Sequence, residues 1–318
     1  MNGVWLEDGI VSLRDDLPHP IGGENEAIIR VLCAGICSTD HGLISGMFPY
    51  VGVIGHEFVG VVEEGPESVA GRRVVGEIVV ACRRCLVCQK RRTSHCPHRT
   101  VLGITNRNGA FAEYIALPIE NLYVVPESVS TEIATFIEPL AAALQILEQV
   151  HITSEDRVLV VGSGKLGQLI LRTLMLTGCA LSCIGRSKRT LILCPKRVEL
   201  YHVEQLPDTQ FDIVVECTGN SEGFKIARHA VRPAGTLVMK STYPGALEID
   251  FTSLVVDEVT IVGSRCGPFV AAIRLLESGH VDLTALIEHI FPLSQAIDAL
   301  SQSRQAGMLK VLLDMRGD

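Results

Sequence analysis

The first third of the chain consists of short apolar runs that are interrupted by glycine. The runs "AIIRVLCAGIC" (27–37), "VGVIGHEFVGVVEEG" (51–65), "RRVVGEIVVAC" (72–82) and "GAFAEYIAL" (109–117) are rich in β-branched residues, and apolar and polar positions alternate within them. Runs of this kind, bounded by turn residues, predict β-strands. We therefore expect the first third to form a strand-rich domain.

The pattern changes near Glu127. The segment "STEIATFIEPLAAALQILEQV" (130–150) has the apolar spacing of a helix and an N-cap candidate at Ser130, and Pro139 either divides it or begins a second helix. Strands and helices then alternate from "RVLVVG" (157–162) to "VTIVGSR" (259–265). This alternation predicts right-handed βαβ units and a parallel sheet covered by helices. A helix from Val270 to Ser278 and a last strand, "KVLLDMR" (310–316), follow.

Length and charge limit the classes of function. A chain of 318 residues exceeds one typical domain and predicts two. Its formal net charge of −8 argues against nucleic acid or an acidic membrane surface as a partner. Charged residues such as Arg172 interrupt the most apolar segments before about 18 residues, so no membrane span is predicted.

Cysteine usage indicates the compartment. The N-terminal "MNGVWLEDGIV" lacks the basic and apolar regions of a secretory signal. Eleven cysteines in such a chain favour metal ligands and buried thiols over disulfides. We therefore expect a cytoplasmic protein.

A glycine-rich loop follows the strand "RVLVV" and precedes a helix. Gly162 permits the tight turn, Gly164 lets the backbone approach a pyrophosphate, and Gly167 lets the helix lie close to the sheet. The helix N-terminus adds N–H groups that bind phosphate. In this context the loop predicts a dinucleotide site, and an ordinary glycine-rich turn is the alternative. The loop residues expected to contact the cofactor are Gly162, Ser163, Gly164, Lys165, Leu166 and Gly167.

The next strand ends at Gly185, where an NAD enzyme carries an acidic residue for the ribose 2′-hydroxyl. This chain instead has Arg186, Ser187 and Lys188, followed by another arginine. A guanidinium group can bind a 2′-phosphate through two hydrogen bonds, and no carboxylate at this position repels the phosphate. We therefore expect NADP(H) to be favoured over NAD(H). A solvated basic loop is the alternative.

Four cysteines lie close together in "ACRRCLVCQKRRTSHC" (81–96), which we call the four-cysteine segment. The spacing CxxCxxCx7C suits zinc, because CxxC turns bring two sulfur atoms to one ion. A site closed by four thiolates has no position for substrate, so the zinc would be structural. Two disulfides are the alternative, which a reducing compartment disfavours. The four ligands would be Cys82, Cys85, Cys88 and Cys96.

Five motifs, in this order, resemble those of the zinc-dependent medium-chain dehydrogenases, the group of alcohol, polyol and threonine dehydrogenases. They are "AGICSTDH", "GVIGHEFVGVVEEG", the four-cysteine segment, "EPLAAAL" and the glycine loop. The resemblance covers nearly the whole chain. It implies an α/β protein with a GroES-like catalytic domain of residues 1–138, to which residues 267–318 return, and a doubly wound Rossmann domain of residues 139–266.

The resemblance also implies a catalytic zinc. The residues at its ligand positions are Cys37, His56 and Glu138. Glu57 can approach the metal in relatives, Thr39 stands where a hydroxyl relays the substrate proton, and Asp40 stands where a carboxylate orients the ligand histidine. His41 could join the relay or face solvent. The alternative is that the ligand residues are an ordinary buried thiol, a core histidine and an acid at a helix start.

A zinc with three protein ligands keeps one position for an alcohol oxygen and favours hydride transfer to a nicotinamide. The resemblance thus implies reversible NADP(H)-linked oxidation of a secondary alcohol or polyol to a ketone, or of a primary alcohol to an aldehyde. Thr218 in "ECTG" and Ser241 in "KSTYPG" lie at strand ends on the cofactor side. Two zinc ions per chain and a homodimer or homotetramer are also implied.

Two other readings stay open. A zinc-free quinone or enoyl reductase would share the fold but would have no use for the three ligand residues together. A non-catalytic dinucleotide-binding protein could keep the fold and the four-cysteine segment. One departure from the family lies at "RTLILCPKRVELYHVEQLPDTQ" (189–210), where Pro195 stops any helix begun at Thr190. We expect this segment to trim the outer layer of the sheet on the adenine side.

Overall fold

The computed structural model describes residues 1–206 and 210–317. The chain divides into two compact units. The first unit comprises Met1–Glu138, Phe269–Gln305 and Lys310–Asp318, and the second comprises Pro139–Pro268 and Ala306–Leu309. In the part of the chain so described, none of the helices is long and apolar enough to cross a membrane.

The first unit is rich in strands, as its apolar runs predict. Its elements are β1 (Gly3–Glu7), β2 (Ile10–Arg14), β3 (Glu26–Gly35), α1 (Ser38–Ile44), β4 (Gly52–Val53), β5 (Glu57–Glu64), β6 (Arg73–Gly76), β7 (Val79–Val80), α2 (Leu86–Gln89), β8 (Thr100–Val101), β9 (Tyr114–Pro118), β10 (Leu122–Val124), α3 (Thr131–Ala134), and, after the second unit, α9 (Phe269–Glu277), β17 (Ile287–Pro292), α10 (Ala296–Ser303) and β18 (Lys310–Asp314). The main sheet has seven strands in the order β10-β6-β5-β3-β18-β17, and β9 also pairs with β3.

Strand register places the ends of three strands side by side. Gly35, the last residue of β3, pairs with Glu57, the first residue of β5. On the other side of β3, Gly35 pairs antiparallel with Leu312 of β18. The residues just beyond Gly35 therefore lie beside the start of β5 and the start of β18. This junction carries the candidate catalytic residues described below.

The second unit alternates strands and helices. Its elements are α4 (Ile137–Gln149), which begins two residues before the unit boundary, β11 (Arg157–Val161), α5 (Lys165–Leu174), β12 (Ala180–Gly185), α6 (Lys188–Leu191), β13 (Glu199–His202), β14 (Phe211–Glu216), α7 (Ser221–Ala230), β15 (Val231–Met239), α8 (Phe251–Val256) and β16 (Thr260–Gly263). The strands form one parallel sheet in the order β13-β12-β11-β14-β15-β16. This is the doubly wound order of a Rossmann fold. The predicted α/β fold is therefore confirmed.

The core of this sheet explains its stability. Leu159, Val214 and Leu237, one on each of three adjacent strands, are fully buried and pack in one cluster with Phe224 of α7. Each such side chain contributes about 1.5–3 kcal/mol of hydrophobic free energy relative to an exposed one. The β-branched and leucine-rich runs that predicted buried parallel strands thus form the centre of the unit.

The expectation that the segment 189–210 trims the outer layer of the sheet is wrong, because this segment contains the outer strand of the sheet. Residues Glu199–His202 form β13, which pairs in parallel with β12 from Ser182 to Gly185. The sequence concealed this strand because its residues are half-buried or exposed, and it lacks an apolar run. Helix α6 is short, as the position of Pro195 predicted. Residues 207–209 of the segment lie outside the described residues.

The segment 130–150 forms two separate helices, α3 and α4. Ser130 caps α3, since its hydroxyl oxygen accepts a hydrogen bond from the Ile133 backbone N–H at 3.3 Å. A second helix then begins at Ile137, with Pro139 in its first turn, where a missing N–H costs nothing. Glu138 therefore lies at the start of a new helix.

Candidate active site and metal centres

Cys37, His56 and Glu57 form a compact group in the first unit. A thiol sulfur, an imidazole nitrogen and a carboxylate oxygen from these residues all lie within 4.8 Å of one another. His56 and Glu57 are buried, and Cys37 is half-buried. Sulfur, imidazole nitrogen and carboxylate oxygen are the donor types that zinc prefers. The chemistry of the donor set therefore fits a zinc ion.

Local structure explains why Cys37 and His56 meet. Cys37 immediately precedes α1, and its backbone N–H donates to Asp40 Oδ2 at 2.8 Å. His56 immediately precedes β5, and the pairing of β5 with β3 brings it beside the end of β3. The pairing of β3 with β5 thus brings Cys37 and His56 together, although they are nineteen positions apart in the sequence.

Asp40 lies next to His56 at the candidate metal site. It is fully buried, and its Oδ1 lies 3.2 Å from His56 Nδ1 without the alignment of a hydrogen bond, so that both atoms lack a hydrogen-bond partner among the described residues. Burial acts to lower the pKa of His56, but the Asp40 carboxylate and the Cys37 thiol raise it well above the usual range. The pocket therefore favours positive charge, which a metal ion would supply. With Nδ1 facing the carboxylate, Nε2 is the ring atom that suits a metal.

Two other predicted site residues lie nearby. Thr39 is half-buried, and its hydroxyl oxygen lies 3.7 Å from Cys37 Sγ. Glu138 is half-buried at the start of α4, and its charge acts on Lys310. Within residues 1–206 and 210–317, the group whose donor atoms lie within 4.8 Å contains Glu57 and does not contain Glu138.

His41 contacts the C-terminal helix of the first unit. Its Nε2 lies 2.8 Å from Ser303 Oγ, and its Nδ1 accepts a hydrogen bond from Arg304 Nε at 3.1 Å. Because Nδ1 accepts, a neutral ring carries its proton on Nε2 and donates to Ser303. These contacts tie α1 to the end of α10.

Lys310 is a member of the site that the sequence reading missed. Its ammonium group contacts Glu57 Oε2, and both side chains are at least nine-tenths buried. Burial acts to lower the pKa of Lys310, but Glu57, Cys37 and Glu138 raise it above the usual range, so the group is charged. A lysine inside the apolar run "MLKVLL" was the available signal, because a lysine in a buried strand needs an anionic partner.

The four-cysteine segment brings its sulfur atoms into one cluster. The sulfur atom of Cys85 lies 3.5 Å from that of Cys88 and 3.9 Å from that of Cys96, which lies 3.5 Å from that of Cys82. Zinc–sulfur bonds of about 2.3 Å in a tetrahedron place sulfur atoms about 3.8 Å apart. All four thiols are free. The arrangement therefore fits a closed zinc site.

The thiols of this cluster differ in acidity. Backbone N–H groups of Arg84 and Cys85 point at Cys82 and lower the pKa of its thiol to about 6. Burial and the neighbouring thiols raise the pKa of Cys88 to about 12. A zinc ion binds thiolates, so metal binding to this cluster releases protons.

The glycine loop in the second unit has the geometry that its spacing predicts. Gly162 has a φ of +118°, which favours glycine, and a Cβ at Gly167 would lie 1.9 Å from the Gly162 carbonyl oxygen. A Cβ at Gly164 would meet no atom of the residues that the structure describes within 4 Å, so space is open there for a ligand. Helix α5 begins at Lys165, and Leu166 is half-buried in its first turn. The loop therefore presents backbone N–H groups at a helix start.

Ser163 faces inward. Its hydroxyl lies 2.7 Å from Thr190 Oγ1, and its carbonyl oxygen accepts a hydrogen bond from Gln168 Nε2 at 3.0 Å. A Cβ at Gly185 would lie 2.3 Å from Ser163 Oγ, which explains the glycine at the end of β12. The Ser163 side chain thus joins the loop to β12 and α6.

Basic side chains follow β12. Arg186 and Lys188 are exposed, and Ser187 is half-buried immediately before α6. The backbone oxygen of Arg186 lies 2.9 Å from His202 Nε2 on β13. Strand β13 therefore holds the backbone of the predicted 2′-phosphate site.

Thr218 and Ser241 follow β14 and β15 at the carboxyl edge of the sheet. The Thr218 hydroxyl donates to the buried Glu216 carboxylate, which also accepts the Thr218 backbone N–H at 2.6 Å. Cys217 packs beneath the glycine loop, with its sulfur 3.4 Å from the Gly162 carbonyl oxygen. Burial and the nearby Glu216 raise the pKa of this thiol, which is neutral.

Comparisons with known proteins agree with these features. Residues 23–127 match the alcohol dehydrogenase GroES-like domain family. The L-threonine 3-dehydrogenase of Anaeromyxobacter dehalogenans (strain 2CP-C) is 28% identical over 339 residues, covering 98% of this chain and 95% of the relative. A protein of Sinorhizobium meliloti 1021, provisionally named a zinc-binding dehydrogenase and bound to NADP, is 28% identical with a TM-score of 0.89, over 99% of each chain. A short chain alcohol dehydrogenase of Escherichia coli CFT073, complexed with NADH, is 26% identical with a TM-score of 0.90, also over 99% of each chain.

Fold, donor set and similarity together define an alcohol dehydrogenase-like oxidoreductase. The chain is similar over nearly its whole length to zinc-type medium-chain dehydrogenases, and the resemblance seen in its motifs is confirmed.

Proposed function

We propose that this chain transfers a hydride between an alcohol and a nicotinamide cofactor, with zinc at Cys37 and His56 and with NADP(H) preferred over NAD(H). The single observation that carries the proposal is the close approach of the Cys37 sulfur and a His56 ring nitrogen, which lie within 4.8 Å of each other, backed by a buried Asp40. The substrates we propose are secondary alcohols or polyols, or primary alcohols, and the corresponding ketones or aldehydes. We also propose a cytoplasmic location.

Each residue of the proposed site has a defined task. Cys37, His56 and Glu138 would hold the zinc, and Asp40 would orient His56. Thr39, with its hydroxyl oxygen 3.7 Å from Cys37 Sγ, would accept a hydrogen bond from the substrate hydroxyl and relay its proton by giving up its own hydroxyl proton. When bound, zinc supplies a Lewis acid for the alcohol oxygen and the nicotinamide supplies the hydride acceptor.

The third ligand is proposed on the position of Glu138 at the start of α4, where its charge acts on the same lysine as Cys37 and Glu57 do. The variant Glu138→Ala should lose the catalytic zinc and the activity while keeping the zinc of the four-cysteine segment. Glu148→Ala, on an exposed position of the same helix, is the matched control and should keep both ions. If Glu138→Ala keeps two zinc ions and full activity, Glu138 is not the third ligand.

The cofactor would lie against the glycine loop and the carboxyl edge of the sheet. Open space over Gly164 and the start of α5 support a pyrophosphate position. The exposed Arg186 and Lys188 support binding of a 2′-phosphate, together with Ser187. The edge position of Thr218 and Ser241 supports contacts on the nicotinamide side, where the Thr218 backbone is held by Glu216.

We further propose that two chains associate through strand β16, which ends the sheet order. Ile261 on this strand is 42% exposed, and Phe251, Val255 and Val256 of the preceding helix α8 are 66–74% exposed. An exposed apolar edge strand is a template for pairing with another strand. A homodimer, or a homotetramer built from two such dimers, would cover it.

The proposal is tested by assaying a panel of alcohols and carbonyl compounds with NADP(H) and NAD(H) on metal-replete protein, with zinc content measured on the same sample. Turnover of an alcohol, NADP(H) preference and two zinc ions per chain support the proposal. One zinc ion per chain, in the four-cysteine segment, with reduction of quinones or enoyl compounds supports a reductase that has no catalytic zinc. Cofactor binding without turnover of any compound supports a non-catalytic dinucleotide-binding protein.

A further inference from the structure

Lys310 and Glu57 form a buried ion pair at the edge of the proposed metal site. Their side chains are only 4% and 1% exposed. The Lys310 ammonium also lies 5.3 Å from the ring centroid of Phe136, over its face. Removing two charges from water is costly, and such a pair is weak evidence for stability alone. Its position beside Cys37 and His56 therefore invites a functional explanation.

The strand register accounts for this position. The Ile36 backbone N–H donates to the Val311 carbonyl oxygen at 3.0 Å, so Lys310 at the start of β18 lies beside Cys37, two residues beyond the end of β3. Glu57 starts β5 on the other side of β3. Lys310 and Glu57 thus approach each other across the end of β3, next to the proposed metal ligand Cys37.

The Glu57 carboxylate is held in one place. A Cβ at Gly35 would lie 2.3 Å from Glu57 Oε2, so the carboxylate occupies the space that any larger residue at position 35 would fill. The same oxygen contacts Lys310. Glycine on one side and the ammonium on the other therefore define where this oxygen lies.

Glu57 has a second place to bind. One of its carboxylate oxygens lies within 4.8 Å of both the Cys37 sulfur and a His56 ring nitrogen, and carboxylate oxygen is a good zinc ligand. A zinc ion held by Cys37 and His56 would compete with Lys310 for this carboxylate. A catalytic zinc needs one open position, which a bound Glu57 would fill.

We propose that Lys310 is a positioning residue that keeps Glu57 off the metal and so leaves the open position to the substrate. This inference rests on the proposed zinc at Cys37 and His56. In this proposal the positive charge of Lys310 determines whether Glu57 binds the metal.

The test replaces Lys310 by methionine, which keeps the length of the side chain and removes its charge, and replaces the catalytic zinc by cobalt. In K310M we expect Glu57 to bind the metal, which weakens the visible cobalt bands as the coordination number rises, and we expect kcat to fall about 10- to 100-fold. K310R keeps the positive charge and should show the wild-type spectrum. The double variant E57Q/K310M should regain the wild-type spectrum.

The inference is overturned if K310M shows the wild-type cobalt spectrum and kcat, or if E57Q/K310M does not restore the wild-type spectrum. Should K310M fail to fold because Glu57 is left buried without a partner, the neutral pair E57Q/K310M decides. A wild-type-like cobalt spectrum of this double variant supports the inference, and a clearly weakened spectrum contradicts it. If wild-type protein itself binds no cobalt at Cys37 and His56 or turns over no alcohol, the proposed function has failed instead.

Discussion

Asp40 Oδ1 lies 3.2 Å from His56 Nδ1, while Asp40 Oδ2 accepts the Cys37 backbone N–H at 2.8 Å. One fully buried carboxylate thus contacts both predicted metal ligands that flank the end of β3. It ties the loop before α1 to the start of β5, and it gives the imidazole a fixed orientation toward the proposed zinc.

Removing this carboxylate should weaken metal binding. In Asp40→Ala we expect zinc affinity at Cys37 and His56 to fall about 10- to 100-fold, because the histidine loses the group that orients it. Competition with a chelator measures the change, and the zinc of the four-cysteine segment should be retained. Asp298→Ala, which removes an exposed carboxylate from α10, should leave both affinities as they are. Unchanged affinity in Asp40→Ala would show that Asp40 does not support the metal.

The four-cysteine segment should act in stability. Cys96 is fully buried among the other three sulfur atoms, so Cys96→Ser should lose one zinc ion per chain and lower the free energy of unfolding by roughly 2–5 kcal/mol. Denaturant titration and zinc analysis measure both effects. Cys179→Ser, at a half-buried thiol outside the cluster, should change neither quantity greatly. A Cys96→Ser protein with its full zinc content would exclude this cluster as a ligand set.

Arg186 should determine cofactor choice. We expect Arg186→Ala to lower kcat/KM for NADPH about 10- to 100-fold and to leave the value for NADH nearly unchanged, since a charge-assisted hydrogen bond contributes about 1.5–3 kcal/mol. Steady-state kinetics with both cofactors measure the ratio. Arg197→Ala removes another exposed arginine and should leave the ratio as in wild type. Equal use of NADH and NADPH by the wild-type protein would refute the proposed preference.

Strand β16 should carry the chain–chain contact. A charge at Ile261, which is 42% exposed on this strand, should separate the proposed dimer, because it places a buried cation in an apolar interface. We expect Ile261→Arg to elute at the mass of one chain in size-exclusion chromatography with light scattering. Leu176→Arg, at a 45% exposed position outside the strand, should not change the mass. A wild-type protein that already runs as a monomer contradicts the proposal.

Asp212 should make stability depend on pH. The hydrogen bond from Arg232 Nε, 2.7 Å from Oδ1, and that from the Arg157 backbone N–H lower the pKa of Asp212. A lowered folded pKa means that this stabilisation is present above about pH 4, the ordinary Asp value, and disappears as the pH falls through the folded value.

We therefore expect Asp212→Asn to lose about 1–2 kcal/mol at pH 7, discounted for the partial exposure of Arg232, and the difference from wild type to shrink below about pH 4. Urea unfolding at several pH values measures this difference. A difference that grows as the pH falls would contradict the assignment.

Much of the second unit could be predicted from the sequence, because the patterns that predict its elements are local. The run "RVLVV", the three glycines and the helix that follows are adjacent in the chain, and they form β11, the loop and α5 as expected. Strand β13 was missed because Tyr201 and His202 are only half-buried, and its neighbours are exposed. Its place is set by pairing with β12 and not by an apolar run.

The candidate active site contains a contact that the sequence could not predict. Cys37 and His56 were found through their motifs, but the partner of Glu57 lies more than two hundred residues away in the chain. Only the pairing of β18 with β3 brings Lys310 to this place. Residue spacing carries no information about which distant strand will pair, so a long-range ion pair of this kind needs the fold.

The most direct test of the central claim is the rate of NADP⁺ reduction by an alcohol substrate, measured on protein stripped of metal and again after zinc is returned. The account predicts no turnover without zinc, recovery of turnover on addition of zinc, and no recovery when His56→Ala protein receives the same treatment. Full turnover by the metal-free protein would contradict it.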